Sequence, residues 1–186
     1  MTPLLWVFVG AALTSLVLTP LVRTVALRVG AFERRGDPLA EANLPPRLGG
    51  IAIAVTWVVT LLLASRYGDD TIRDLLGTLP LAPILLGAML VFAIGLVDDL
   101  RPIPAGVKVT VEALAAGALI GAGIVIVQFT VFGVTLELGW LSVVVTMAWI
   151  LVITNAFNLM DGLDGLATGL AIIAGVTCAA IVILRG

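Results

Sequence analysis

The chain has 186 residues, of which 61% are hydrophobic and 12% charged, with ten Lys and Arg against twelve Asp and Glu for a net charge of −2. Soluble domains carry roughly 25% charged residues, so this composition excludes a disordered chain and argues against a water-soluble globule, and the lack of a basic surplus gives no sign of a nucleic-acid partner. His is absent and Cys178 is the single cysteine, which excludes Ser-His-Asp and Cys-His nucleophilic sites, His-ligated metals and an internal disulfide.

Six stretches without charge succeed one another along the chain: Met1–Val22, Leu48–Ser65, Leu75–Val97, Ala113–Leu136, Leu138–Met160 and Gly165–Leu184. They contain 22, 18, 23, 24, 23 and 20 residues. About 20 mostly apolar residues cross a bilayer as a helix, and only helices or closed barrels satisfy their backbone in lipid. The stretches are continuous rather than alternating, which argues against a barrel. The first has no basic leading segment and is too long for the core of a signal peptide. The expectation is an all-α, polytopic transmembrane bundle of six spans, forming a single integral membrane domain over 1–186.

Orientation comes from the Lys and Arg count. The first, third and fifth connections hold seven: Arg23, Arg28, Arg34, Arg35, Arg47, Arg101 and Lys108. The opposite side holds three: Arg66, Arg73 and Arg185. The positive-inside rule puts the odd connections in the cytoplasm and the N-terminus outside.

The unusual polar residues sit at the ends of spans on that same side. Asp98 and Asp99 close the third stretch in GLVDDLRPIPAGVK. Lys108 and Glu112 are one helical turn apart and share a face. Asn155, Asn158 and Asp161 recur every three residues along one side of a helix. Two Asp-Gly steps, Asp161-Gly162 and Asp164-Gly165, then break it. Each has a plainer reading alone. The two aspartates suit a solvated loop start, Lys108 and Glu112 an intrahelical ion pair, and the asparagines a bridge between helices. DGLDG suits a turn, Gly49-Gly50 a close helix approach, Cys178 a small apolar filler, and the four tryptophans interface anchors.

Together they say more. Hard oxygen ligands without His suit Mg2+, which takes one or two carboxylates plus substrate phosphates. A nearby Lys suits a phosphate as a point charge. The combination points to phosphoryl transfer at the membrane face, where positioning and charge neutralisation do most of the catalysis. A transporter or proton pathway is the alternative, but it calls for carboxylates at mid-span, and these lie at span ends. A non-catalytic membrane fragment is a third reading.

PRLGGIAI, GLVDDLRPIPAGVK and NAFNLMDGLDGLATG, in that order from about Arg28 to Leu170, resemble the polyprenyl-phosphate N-acetylhexosamine-1-phosphate transferases. That family is glycosyltransferase family 4, with its undecaprenyl-phosphate GlcNAc-1-phosphate and phospho-N-acetylmuramoyl-pentapeptide branches. PRLGG leans toward the GlcNAc-1-phosphate branch. The resemblance implies transfer of a sugar-1-phosphate from a UDP-N-acetylhexosamine to a polyprenyl phosphate, with Mg2+ as cofactor and UMP released, in cell-wall or surface-polysaccharide synthesis. It implies catalytic roles for Asp98, Asp99, Lys108 and Asp161, with Asp98, Asp99 and Asp161 toward the metal. It implies substrate-binding roles for Arg47, Asn155, Asn158 and Asp164. It also implies a multi-pass protein of the inner (plasma) membrane, a homodimer as candidate assembly, and family members of about ten spans. On that expectation these 186 residues are an N-terminal part, inactive in isolation.

Overall fold

A computed structural model describes residues 2–30, 48–160 and 165–185. Among them are seven helices and one hairpin, in chain order α1 Thr2–Arg28, α2 Gly49–Tyr67, α3 Asp70–Thr78, α4 Leu81–Leu100, α5 Ala105–Gly121, β1 Gln128–Val131, β2 Val134–Glu137, α6 Leu141–Met160 and α7 Leu166–Arg185. They form two compact units, Met1–Ala122 and Gly123–Gly186.

Four of the described helices are long and apolar enough to cross a membrane: α1, α2, α4 and α6. Their outward surfaces are apolar, with Phe8, Leu16, Leu21, Leu62, Leu86 and Trp149 exposed. A water-soluble protein would bury such side chains, and lipid covers them at no cost. The protein is a membrane protein of mostly helical build.

In the first unit, α1 packs along α2 and α4 along α5. Small residues make the second contact close: Gly87 of α4 is buried, and a methyl group there would touch the Ala115 carbonyl and the Leu119 side chain. Ala115 and Ala116 of α5 are buried beside it, as in membrane helix pairs where backbones approach through small residues. At the start of α2, Leu48 adopts a left-handed conformation, φ +76°, and is buried with Ala26 of α1; Val22, Ile51 and Leu96 pack against that pair. Gly49 and Gly50, expected at a close helix approach, face open space instead.

The connection from α2 to α4 is built. Gly68 ends α2 where any side chain would run into the Ala64 carbonyl. Asp69 then caps α3, its Oδ1 accepting from Ile72 N at 3.0 Å, as N-cap aspartates do. Ile72 is buried while Asp70 and Arg73 pair at 3.3 Å in solvent.

The fourth uncharged stretch, Ala113–Leu136, is not one span. Its helix, α5, starts earlier, at Ala105, takes in Lys108 and Glu112, and ends at Gly121 after seventeen residues. Beyond it the chain forms the antiparallel hairpin β1–β2, with Gln128 opposite Glu137 and Val131 opposite Val134. The reason is local. Gly123 takes φ +83° and turns the chain out of the helix. The segment Ile124–Val131 is rich in β-branched and aromatic residues, which favour a strand. Phe132 at φ +49° and Gly133 at φ +81° then form the two-residue turn with positive φ at both centres that matches strand twist. The single charge that separated two expected spans, Glu137, is a strand residue.

In the second unit the hairpin is tied to the start of α6. Ile126 N donates to Thr146 Oγ1 of α6 at 2.8 Å, while Leu138 N donates to Val127 O at 2.9 Å as one further rung of the hairpin ladder. Thr146 is buried, and its hydroxyl in turn donates to Ser142 O at 2.6 Å. The apolar part of α7, Leu166–Ile181, is shorter than the four long helices, and Cys178 on it is exposed rather than packed inside.

Candidate functional site

The site begins with a proline-stiffened reversal. α4 ends at Leu100, and Arg101 is extended, φ −147° and ψ 117°, as a residue before proline prefers. Pro102 and Pro104 fix the next turns, and Pro104 sits at the cap of α5. The loop Arg101–Pro104 therefore sends α5 back along α4 with little freedom.

Asp98 clamps this reversal from inside. Its Oδ1 accepts from the backbone N–H of Ile103 at 2.9 Å. Its Oδ2 accepts from Lys108 Nζ in a close ion pair across the helix junction. About a quarter of each side chain is exposed, 27% for Asp98 and 24% for Lys108. The pair is thus screened less than a surface one, yet a solute can reach it. Asp99 is half-buried beside it on α4. Glu112, one turn along α5 from Lys108, is buried.

A carboxylate and an ammonium thus meet where α4 joins α5, with Asp99 next in sequence on α4. The start of α2 is close by, since Leu48 packs with Leu96, two residues before Asp98. This brings the end of PRLGG to the DD end of α4. Arg47 itself, like Asp161 and Asp164, lies outside the described residues.

Asn155 and Asn158 lie in the last turns of α6, in the second unit. Asn155 Nδ2 donates to Leu151 O at 2.9 Å, back onto its own helix, and Asn158 is exposed. Among the described residues no three Asp, Glu or Cys side chains gather as a metal cluster. A hollow of about 460 Å3 lies elsewhere, lined by Trp6, Gly10, Thr60, Leu63, Tyr67 and Asp69 at the far end of α2. Among the described residues its walls carry no cation for a phosphate.

Sequence reading missed the Ile103 N–H because a backbone donor has no residue type. The two prolines around it were the available signal. It also missed Leu48, since a left-handed position is ordinarily sought at glycine.

Comparisons with known proteins identify the family. The model of glycosyl transferase family 4 matches residues 81–186, more than half of the chain. A Bacillus subtilis (strain 168) protein named a probable undecaprenyl-phosphate N-acetylglucosaminyl 1-phosphate transferase is 33% identical over 181 residues, covering 96% of this chain and 48% of that protein. A decaprenyl-phosphate N-acetylglucosaminephosphotransferase of Mycolicibacterium smegmatis is 32% identical over 167 residues, 88% of this chain and 41% of its own. A phospho-N-acetylmuramoyl-pentapeptide-transferase of Desulfotalea psychrophila is 34% identical, over 87% of this chain and 48% of its own. The chain spans about half the length of these relatives. No solved structure matches it. The family match starts at α4 and takes in Asp98, Lys108 and the end of α6, and on it the chain belongs to glycosyl transferase family 4.

Proposed function

We propose that the protein serves transfer of N-acetylhexosamine-1-phosphate from a UDP-sugar to a polyprenyl phosphate at the cytoplasmic membrane face. A lipid phosphate oxygen attacks the sugar-linked phosphorus. The bond from that phosphorus to the bridging oxygen breaks, and UMP leaves with the electron pair. The products are a polyprenyl-diphosphate sugar and UMP. PRLGG and the names of the relatives support N-acetylglucosamine as the sugar. The observation that carries the reading is the Asp98–Lys108 pair, a partly exposed ammonium held against a carboxylate at the end of a membrane helix.

The chain's residues then have distinct work. Lys108 neutralises phosphate charge, and Asp98 fixes where the ammonium points. The Ile103 N–H holds Asp98 in turn. A lipid phosphate is already ionised near neutral pH, so no strong base is required of the chain, and the absence of His is no obstacle. Asn155, Asn158, Asp164 and Arg47 serve the sugar nucleotide, and Asp161 joins the catalytic carboxylates.

The donor chemistry at the end of α4 fits Mg2+. Two adjacent carboxylates suit an ion that draws its other ligands from water and phosphate. Asp98 and Asp99 would hold it, with Asp161, and when bound it supplies charge neutralisation on the diphosphate. In this reading α5 and α7 complete six spans in the inner membrane, and the seven-to-three charge count sets the N-terminus outside. A homodimer is the proposed assembly.

The test uses membranes carrying the full reading frame that contains these 186 residues. Given UDP-N-acetylglucosamine, undecaprenyl phosphate and Mg2+, they release UMP and form a lipid-linked sugar. Chelation with EDTA stops both, and added Mg2+ restores them. UMP release no higher than in membranes without the protein contradicts the reading.

A further inference from the structure

We propose that the β1–β2 hairpin is a membrane-dipping element, its apolar face and its Phe132 tip seated in the acyl boundary of the bilayer surface where α6 enters. The register divides the hairpin into two unlike faces. Gln128, Thr130, Thr135 and Glu137 lie on one, with the two threonine hydroxyls 3.0 Å apart. Phe129, Val131, Val134 and Leu136 lie on the other. That apolar face is bare, from 41% exposed at Phe129 to 61% at Val134. Phe132 is fully exposed at the turn in a left-handed conformation, φ +49°. Such a conformation is unfavourable for an aromatic residue and natural for Asn or Gly. Nothing inside the described protein repays it.

Covalent continuity identifies the occupant as lipid. The Ile126–Thr146 hydrogen bond fastens the base of the hairpin to the early turns of α6, one of the helices long enough to span, and the Leu138–Val127 bond carries the ladder to within three residues of that helix. Trp140, 80% exposed, stands directly before α6, where tryptophan marks the membrane–water interface. An isolated two-stranded hairpin is marginal in water. One with an apolar face toward lipid and a polar face toward water is the strand counterpart of an interfacial amphipathic helix. The sequence has no Lys or Arg between Lys108 and Arg185. The attraction is therefore apolar, and anionic headgroups do not drive it. Seating of the hairpin in lipid is independent of the transfer reaction.

The test is a spin-label scan. Single cysteines at 128–132 and 134–136 are introduced in the full reading frame on a Cys178→Ala background and labelled with a nitroxide. The protein is reconstituted in phosphatidylethanolamine vesicles, with and without phosphatidylglycerol. Labels at 129, 131, 132, 134 and 136 are expected to collide several-fold more with oxygen than with a water-soluble nickel chelate. Labels at 128, 130 and 135 show the reverse, and the pattern is the same in both vesicles. Nickel access at 129, 131, 132, 134 and 136 overturns the proposal, because the face is then in water. Shielding of these positions from both reagents also overturns it, because protein then covers the face. The eight positions are all exposed, and a residue-by-residue alternation survives the loss of any one variant.

Discussion

At the end of α4 one carboxylate does two things. Asp98 accepts from Ile103 N–H and from Lys108 Nζ, so it closes the turn and aims the ammonium. Removing either member of the pair is not symmetric. Asp98→Ala leaves a partly buried ammonium without its counter-charge, whereas Lys108→Met leaves a carboxylate that still accepts from a backbone N–H. Hydrogen bonds to charged groups contribute about 1.5–3 kcal/mol. With a quarter of each side chain exposed, the lower part of that range applies. Thermal unfolding in detergent should therefore show Asp98→Ala falling by about 1–2 kcal/mol and Lys108→Met falling by less. Equal losses would mean that the Ile103 bond contributes nothing. Asp98, Asp99 and Lys108 were legible in the sequence, because charge at a span end is conspicuous. The conformation of Leu48 was not, because burial against Ala26 and Leu96 outweighs the ordinary preference for glycine at positive φ.

At the scale of elements, five of the six uncharged stretches correspond to helices whose ends moved by a few residues, and the fourth did not survive. Hydropathy alone cannot separate a buried or lipid-facing helix from an apolar hairpin, and Ile124–Val131 satisfies both until the turn is considered. The Phe132-Gly133 turn hid the hairpin, since Asn-Gly is the usual signal. Two substitutions probe this element. Thr146→Val strands the part-buried Ile126 N–H, at about 1 kcal/mol, the lower end for an unsatisfied donor. Hydrogen exchange at Ile126 should then quicken, and Thr146→Ser should keep the protection. Phe132→Asn relieves the turn, so in detergent the hairpin amides should exchange no faster than in the parent. Faster exchange would mean that the ring packs on the protein.

For the whole molecule, α4 fixes the geometry. Its twenty residues rise about 30 Å, the thickness of a bilayer core, so the α3 end and the Asp98 end face opposite surfaces. Cysteines at Asp70 and Arg101 should therefore label from opposite sides of intact cells, position 101 only after permeabilisation. Labelling of position 101 from outside would reverse the assigned orientation. Composition and charge spacing made the membrane class readable because lipid admits so few backbone solutions. The placement of Leu48 near the DD end was not readable, because it depends on how α1, α2 and α4 pack. The central claim is that the Asp98–Lys108 pair acts on phosphate during sugar-phosphate transfer. It is tested most directly by UMP release from the full reading frame carrying Asp98→Asn, Lys108→Met or both, with helix content checked by circular dichroism. Loss of one preorganised charge-stabilising group costs about 10²–10³ in rate. Each single variant should fall by about 10²-fold or more, and the double variant by far less than the product of the two, since groups acting as a unit are not additive. Near-parental UMP release from both folded single variants would contradict the account.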